Sequence, residues 1–450
     1  MVADERGLEL TTESAQAARL YDAVVTRYVK YKADTASFTQ KMLEADPDFP
    51  MGNCLKGYLM MTAFDARRLK NAGDALAAAR KGEARTTPRE RRHIAALDAW
   101  RRGAEDEAFR HWEAILAESP TDLLAARLAH FLYFWHGDSR NMREVVARPL
   151  ARWPAGMASY GSMLAMLAFG HEECGEYEEA EAAALRSLEH DRAELWATHS
   201  RAHVMEMQGR RREGIDWLAA EERHWEGGNN MLHHLWWHRS LLHLDLGEAD
   251  AVLEFYDGKF RNLDSPLVKA LPDLYIDLQN AVSMLWRLER AGIDVGGRWI
   301  ELADKSAARV GDLQNLFTVP HFMMALAAAG REAAAERYLA AMQAAAEAGV
   351  ISAAATLRKV VIPVSAAALA HRKGEHARVV SLLEPVRREI HRIGGSHAQR
   401  DLFTQMLLDS AMRSGRAELA RAILADETRA RPAPLAARRG YADAAKRFLH

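Results

Sequence analysis

Four histidines and one glutamate in the middle of this sequence have the types and the spacing of a shared chemical site. His199 and His203 are four residues apart, and Glu206 follows three residues later. His234 and His238 repeat the four-residue spacing, each 35 residues after its counterpart. Residues at i, i+4 and i+7 of an α-helix share one face, so each set projects in one direction. Because 35 residues is close to one two-helix repeat, we expect the two sets on neighbouring helices.

Imidazole and carboxylate side chains are ligands that first-row metals accept in proteins. The pattern predicts a divalent metal, zinc or iron, whose ligands are His199, His203, His238 and Glu206. Three such ligands with an open position form a centre that activates water. Glu206 and His234 are the predicted catalytic residues, as acid and base. The His-Glu-x-x-His signature of zinc proteases does not occur in the sequence, so the spacing does not fix the metal.

The elements that must position these side chains are predicted to be helices. Alanine runs such as 344–346 favour helix, and the period-2 alternation of strands is hard to find. Glycines recur after apolar helices and before charged residues, with steps of 38, 34 and 38 residues along Gly137, Gly175, Gly209 and Gly247. Such a glycine suits the left-handed end of a helix and lets the chain turn back into a second helix. The sequence therefore predicts an all-α chain of helical hairpins.

One segment of these hairpins, from Glu176 to Glu189, is similar to the second helix of the tetratricopeptide repeat. Several segments resemble the tetratricopeptide repeat protein 38 family: 7–12, 17–22, 196–199, 203–207 and 283–288. The resemblance covers nearly the whole chain, and the block 170–245 carries most of it. It implies an irregular tetratricopeptide-like helical-hairpin solenoid, wound as a right-handed superhelix, and implies no particular chemistry. Asn280 departs from the resemblance, since an acidic residue is expected there.

In tetratricopeptide-like repeats the first helix lines a concave groove, at fixed distances before the turn glycine, as the resemblance implies. By this count the histidines and Glu206 face the groove. Further groove residues are predicted to bind a ligand, namely Glu172, Trp196, Trp237, Asp245 and His321. His171 and His243 fall on packing positions. His234 and His238 lie three residues further from their turn glycine than His199 and His203 lie from theirs. The two pairs can therefore face each other only if the repeats stack irregularly.

The leading hypothesis is a site in the concave groove that binds a small molecule or a peptide end and hydrolyses it with metal assistance. Histidine beside glutamate can also perform acid–base catalysis without a metal, because imidazole titrates near neutral pH. The alternative is a non-catalytic scaffold that binds a partner peptide through aromatic anchors in the same groove. A hydrated groove without any ligand is a further interpretation. Whether the chain is an enzyme is left open; as an enzyme it would be a metal-dependent or His/Glu acid–base hydrolase.

Composition narrows the remaining function classes. The 60 Lys and Arg residues nearly balance the 62 Asp and Glu residues, so a nucleic-acid partner is not expected. Two cysteines, Cys54 and Cys174, exclude a disulfide framework and fit a reducing cytoplasm. Neither a membrane-spanning apolar run nor a signal-peptide pattern occurs in the sequence. No glycine-rich phosphate loop indicates a nucleotide cofactor. We therefore expect a cytoplasmic protein.

Three segments are expected along the chain. Residues 1–35 form an N-terminal helical extension, and residues 36–430 form the irregular repeat array. The central repeats, 157–256, bear the site. Residues 431–450 form a C-terminal tail helix after prolines that break the array. The sequence fixes neither the oligomeric state nor whether the ends of the solenoid close over the groove.

Overall fold

Helices make up nearly all the regular structure of this chain, and the computed structural model describes residues 1–349 and 352–449. The first helices are α1 Ala15–Val29, α2 Thr35–Ala45, α3 Pro50–Met61, α4 Leu69–Lys81, α5 Pro88–Arg101, α6 Glu105–Glu118, α7 Leu123–Trp135 and α8 Ser139–Leu150. The central helices are α9 Tyr160–Glu173, α10 Tyr177–His190, α11 Leu195–Gln208, α12 Arg211–Glu221, α13 Met231–Asp245, α14 Ala249–Phe255, α15 Pro266–Ala270 and α16 Tyr275–Arg290. The last are α17 Arg298–Ala307, α18 Thr318–Ala328, α19 Glu332–Ala348, α20 Ala354–Thr356, α21 Ile362–Arg372, α22 His376–Leu383, α23 His397–Arg413, α24 Ala417–Ala430 and α25 Ala442–Phe448.

Hairpins form at the glycines, and the pair α11–α12 shows how. α11 ends at Gly209, whose φ of 72° lies in the left-handed region that disfavours any residue with a side chain. The turn lets the backbone N–H of Arg210 donate to the carbonyl of Met205 at 2.8 Å, and α12 then begins at Arg211. The predicted all-α repeat architecture is confirmed: the chain is a solenoid of helical hairpins.

The first helices of successive hairpins lie side by side and form an inner layer. α7, α9, α11 and α13 contact one another in this order, and α16, α18 and α21 continue the row. Each packs against a second helix, among them α8, α10, α12 and α22. On α10, Ala180, Ala183 and Ala184 are buried, and such small side chains let α10 approach α9 closely. One continuous hydrophobic core runs through this arrangement, from Leu10 to Ala445.

The solenoid closes on itself, so its inner layer becomes the interior of the molecule. α23 packs against α11, α16 and α21. The backbone N–H of His397 donates to Glu173 Oε1 on α9 at 2.8 Å. Just before α23, a Cβ at Gly394 would lie 2.5 Å from the carbonyl oxygen of Trp135, so only glycine fits there. The concave groove that the sequence predicts, with its closure left open, is thus filled at the central repeats by the chain itself.

The C-terminal tail, residues 431–449, lies against this interior, and several of its contacts meet at one buried carboxylate. Asp401 on α23 accepts hydrogen bonds from Arg431 at 3.1 Å, Arg438 at 2.8 Å and the Tyr441 hydroxyl at 2.5 Å. The backbone N–H of Ala433 donates to the carbonyl of Met207 on α11 at 3.2 Å. The tail is mostly irregular, and its α-helix begins only at Ala442, which differs from the tail helix predicted from residue 431.

The N-terminal segment, predicted as a helical extension, contains a short β-ladder besides α1. Strands β1 Val2–Ala3 and β2 Glu9–Leu10 pair antiparallel, with Val2 opposite Leu10. After α1, the backbone N–H of Asn229 donates to the carbonyl of Tyr31 at 2.7 Å, which ties this segment to the start of α13. Across the described part of the chain, no helix combines the length and hydropathy that crossing a bilayer requires.

Candidate metal centre

His199, His203, His234 and His238 meet in the interior between α11 and α13, and we call them the four-histidine cluster. Each offers one ring nitrogen, and these four nitrogens lie within 4.8 Å of one another. The ring centroids of His203 and His238 are 4.3 Å apart, and those of His199 and His234 are 5.0 Å apart. No residue of the cluster is more than 3% exposed. The two histidine pairs therefore face each other, although they lie at different distances along the chain from the turn glycines that follow their helices.

Hydrogen bonds determine which nitrogen two of the rings present. His238 Nδ1 lies 3.0 Å from Glu206 Oε2, and His234 Nδ1 lies 2.8 Å from Asn280 Oδ1 on α16. An Nδ1–H group that donates to an oxygen leaves a lone pair on Nε2. His238 Nε2 has no hydrogen-bond partner among the described residues. Both rings can therefore offer Nε2 to a ligand within the cluster.

The other two rings face each other. His203 Nε2 lies 3.0 Å from His199 Nε2, and His203 Nδ1 lies 3.6 Å from Glu172 Oε2. Glu172 is fully buried, and within the described residues neither of its carboxylate oxygens has a hydrogen-bond partner. A small rotation of the His203 ring would satisfy that carboxylate, whose isolation is otherwise unfavourable. The carboxylate of Glu172 therefore lies on the Nδ1 side of the His203 ring, as that of Glu206 lies on the Nδ1 side of the His238 ring.

Burial favours neutral imidazoles in this cluster. Burial, followed by the neighbouring histidines, lowers the pKa of His199, His234 and His238 well below the ordinary value. Burial also acts to lower the pKa of His203, but the adjacent Glu172 outweighs it, and that pKa is raised. Burial raises the pKa of Glu172 and of Glu206. Neutral imidazole is the form that binds a metal, so most of the cluster is in its ligand form near neutral pH.

The donor set fits a first-row transition metal. Tetrahedral sites with metal–nitrogen bonds of about 2.0–2.1 Å place their ligand nitrogens about 3.3–3.4 Å apart. The nitrogens of the cluster already lie within 4.8 Å of one another, so a modest contraction would suffice. Imidazole ligands suit zinc, copper, iron and nickel, whereas magnesium and calcium require oxygen ligands. A metal here would also engage the orphaned His238 Nε2.

Three residues with predicted roles lie around the rings. Glu206, predicted as a metal ligand, is instead a hydrogen-bond partner behind His238. Trp196 stacks on His199 with centroids 4.5 Å apart, and Trp237 stacks on His234 at 5.1 Å. The two tryptophans thus pack against the cluster, and the aromatic surface that the sequence assigned to an open groove is buried.

Two other predicted residues lie apart from the cluster. Asp245 accepts hydrogen bonds from Arg211 Nε at 3.1 Å and from the backbone N–H of Arg439 at 3.0 Å, so it fastens the C-terminal tail. His321 on α18 bonds the carbonyl of Phe317 at 2.9 Å and is buried. Both lie on inner helices as predicted, but they interact with other partners.

A polar cavity of about 700 Å³ adjoins the cluster through Glu206. Its wall includes Arg287, Asp401, Arg438 and Tyr441. Arg287 is buried and donates to the carbonyls of Ser283 and Ala398, without a carboxylate within 4.0 Å among the described residues. The side chain of Glu206 is 14% exposed, so it connects the cavity with His238.

A second group of possible ligands was not predicted: His371, His376 and Asp409. Asp409 accepts from His371 Nε2 at 2.9 Å and also pairs with Arg290 and Arg413. Because two guanidinium groups already neutralise that carboxylate, we interpret this group as an ion-pair network.

No protein-family model matches this sequence. Among solved structures, the chain is similar to that of Naa15/Naa10 bound to HypK-THB, at 13% identity and a TM-score of 0.25. The match covers 96% of this chain and 66% of that chain. The chain thus spans slightly less than two thirds of that protein's length. It is also similar to the P58(IPK) TPR domain, at 13% identity and a TM-score of 0.20, covering 90% of this chain and 99% of that one.

Proposed function

We propose that this chain is a metal-binding helical repeat protein that holds Zn²⁺ or Fe²⁺ on the Nε2 atoms of the four-histidine cluster. One observation supports this most directly: His234 and His238 each engage an oxygen through Nδ1, which leaves Nε2 free in a buried space shared with two more imidazoles. Ring nitrogens held by such outer partners are the usual arrangement behind metal-binding histidines. Packing alone does not require four buried imidazoles at one point.

The residues around the cluster have separate roles in this proposal. Glu206 and Asn280 orient the rings of His238 and His234, and Glu172 orients His203. A metal held by all four imidazoles would polarise a substrate oxygen by expanding to five ligands, as Lewis-acid metal centres can. Glu206 would accept a proton at its cavity side, since its carboxylate reaches both His238 and the polar cavity. The surrounding core excludes bulk water from the rings.

The substrate class follows from the wall of the polar cavity. We propose a small molecule or peptide end that carries a carboxylate, because Arg287 presents a buried guanidinium whose partners are backbone carbonyls. The volume of about 700 Å³ is in the range of small-molecule sites. Metal-assisted hydrolysis is the reaction that this combination of groups favours.

The experiment that tests metal binding is elemental analysis of the full chain, produced without an affinity tag. We expect about one zinc or iron per chain, either as purified or after the chelated protein is reconstituted with each metal and desalted. The variant His321→Asn is the matched control, because it alters a buried histidine outside the cluster. Less than about a tenth of an equivalent after both treatments would contradict the proposal.

Removing an outer partner should weaken the site without abolishing it. We expect Glu206→Ala and Asn280→Ala each to raise the metal dissociation constant about 10- to 100-fold, since such partners fix ring orientation and basicity. The measurement is competition with a chromophoric chelator. Asp245→Asn, on the same cavity wall, should change the constant less than about threefold. Equal constants for all four proteins would show that these contacts are unrelated to metal binding.

A partner-binding scaffold is the second candidate, favoured by the fold, because helical repeats present long surfaces to other proteins. A peptide in the concave region would have to displace the C-terminal tail, which bonds α11 through Ala433.

We also propose that the chain is a divergent relative of the tetratricopeptide repeat protein 38 family. The free thiols of Cys54 and Cys174 support a reducing compartment such as the cytoplasm.

A further inference from the structure

A second cavity, apolar and separate from the polar one, lies where α1, α2 and α3 meet α7 and the starts of α13 and α16. Its volume is about 630 Å³, within the range of small-molecule sites. Aliphatic side chains form much of its wall, including Leu43, Leu59, Met60, Leu271, Leu274 and Ile276. We call it the apolar cavity.

One guanidinium on the wall of the apolar cavity has no countercharge. Arg127 on α7 is 2% exposed, and its Nη2 donates to the hydroxyl of Tyr31 at 2.6 Å. Among the described residues, its Nε has no hydrogen-bond partner and no carboxylate lies within 4.0 Å of the guanidinium. The guanidinium also lies over the rings of Tyr31, Tyr28 and Trp196, at 4.8, 5.3 and 5.5 Å from their centroids. These rings stabilise the cation but carry no negative charge, so its countercharge is left for an anion to supply.

One buried carboxyl, that of Glu194, interacts electrostatically with Arg127 but forms no ion pair with it, and one of its oxygens has no hydrogen-bond partner among the described residues. Glu194 accepts a hydrogen bond from Ser162 at 2.6 Å, and burial raises its pKa to about 7, so its carboxyl is only partly ionised at neutral pH. The other charged residues on the cavity wall are three cations, Lys32, Lys56 and Arg68, against one carboxylate, Glu44. The hydroxyl of Tyr28 also lacks a partner among the described residues. Both the charge and the free donors favour an anion.

The apolar cavity is independent of the four-histidine cluster. Trp196 stands between them, stacked on Tyr31 with centroids 5.4 Å apart and on His199 at 4.5 Å. None of the four histidines lies on the cavity wall. A ligand in this cavity would therefore bind whether or not the cluster holds a metal.

We propose that the apolar cavity binds an amphipathic monocarboxylate of the fatty-acid class. Its carboxylate pairs with Arg127 and accepts from the Tyr28 hydroxyl, and its hydrocarbon chain lies along the aliphatic wall. Apolar burial supplies most of the affinity, and the guanidinium selects the charged head group.

The test is calorimetric titration of the full chain with dodecanoate, and with dodecanol as the uncharged analogue. We expect the wild type to prefer dodecanoate over dodecanol, and Arg127→Met to bind dodecanoate about 10- to 100-fold more weakly, as expected for a lost charged hydrogen bond. Dodecanol affinity should stay within about threefold in that variant. Arg239→Met, which removes a half-buried arginine outside the cavity, should resemble the wild type for both probes.

Two further results separate ligand binding from a merely structural role of Arg127. Dodecanoate should raise the melting temperature of the wild type but not that of Arg127→Met. Met60→Trp, which fills the cavity, should weaken binding of both probes. No dodecanoate binding to the wild type, equal affinity for the two probes, or unchanged dodecanoate affinity in Arg127→Met would each overturn the proposal.

Discussion

Replacing His203 with alanine is expected to raise the metal dissociation constant of the protein about 100- to 1,000-fold. A four-ligand structural site is worth about 10–16 kcal/mol, or about 2.5–4 kcal/mol per ligand, which corresponds roughly to this range. His203 is the residue of choice because its ring contacts both His199 and His238, with centroids 4.5 and 4.3 Å away. The measurement is a competition titration of the chelated protein with Zn²⁺, and the same titration applies to the other three histidines.

The matched control for His203→Ala is His321→Ala, which opens a similar hole at another fully buried histidine on the inner layer. We expect it to lower the melting temperature to a comparable extent and to leave the metal dissociation constant unchanged. If the two variants lose metal equally, the loss follows from a loosened interior and not from a missing ligand. A His203→Ala protein that binds metal like the wild type would remove His203 from the site.

Asp401→Asn is expected to lower the free energy of unfolding by about 2–4 kcal/mol, because it leaves two buried guanidinium groups with only the more distant carboxylate of Glu427, at 3.4 and 3.5 Å. Asp401 is the shared acceptor for Arg431, Arg438 and the Tyr441 hydroxyl, and it is 6% exposed. The amide is isosteric, so the change removes charge without opening a cavity. Urea unfolding measures the difference, and proteolysis should cut the variant first within the C-terminal tail.

The pH dependence of this difference provides an internal check. Burial opposes ionisation of Asp401, but the charges of Arg438, Arg431 and Arg287 outweigh it and hold its pKa below the ordinary value of about 3.9. A lowered carboxyl pKa stabilises the fold above about pH 4, and this contribution fades as the pH falls through the folded-state value. The stabilities of wild type and Asp401→Asn should therefore begin to converge as the pH falls below about 4, and converge fully only below the folded-state pKa. Asp304→Asn, at an exposed ion pair, should change the free energy by less than about 0.5 kcal/mol, and an equal effect of the two substitutions would contradict this role of Asp401.

The sequence predicts the repeat fold and the meeting of the histidines because both depend on local periodicity. Glycine at the end of α11 marks a turn by its own backbone preference, wherever the rest of the chain lies. His199 and His203 must share a face of any helix that contains them, and a 35-residue offset carries His234 and His238 to the next first helix.

The remainder of the site depends on contacts between residues that are far apart in the sequence. Asn280 reaches His234 from 46 residues away, and His397 reaches Glu173 from 224 residues away. Helical spacing also cannot distinguish a ligand from its supporting partner, and Glu206 was accordingly predicted as a ligand although it bonds the far side of the His238 ring. The closure by α23 and the tail turned a predicted groove into a buried interior for the same reason.

Burial of the inner helices explains why their polar residues are informative. α11 and α13 are buried on nearly all sides, and yet each carries two histidines of the cluster. A helix that is covered all round normally carries apolar residues, so polar groups in such positions require partners. Orphaned nitrogens on His199, His203 and His238 show that the described chain alone does not supply all of those partners.

The most direct test of the metal centre is an X-ray absorption spectrum of the tag-free protein at the edge of the metal that elemental analysis identifies. The four-histidine cluster predicts a shell of nitrogen ligands at about 2.0–2.1 Å with the outer scattering of imidazole rings, best fitted by four of them. His203→Ala should lose that spectrum, and His321→Ala should keep it. A shell that contains sulfur, or an oxygen shell without imidazole scattering, would contradict the assignment of the metal to this cluster.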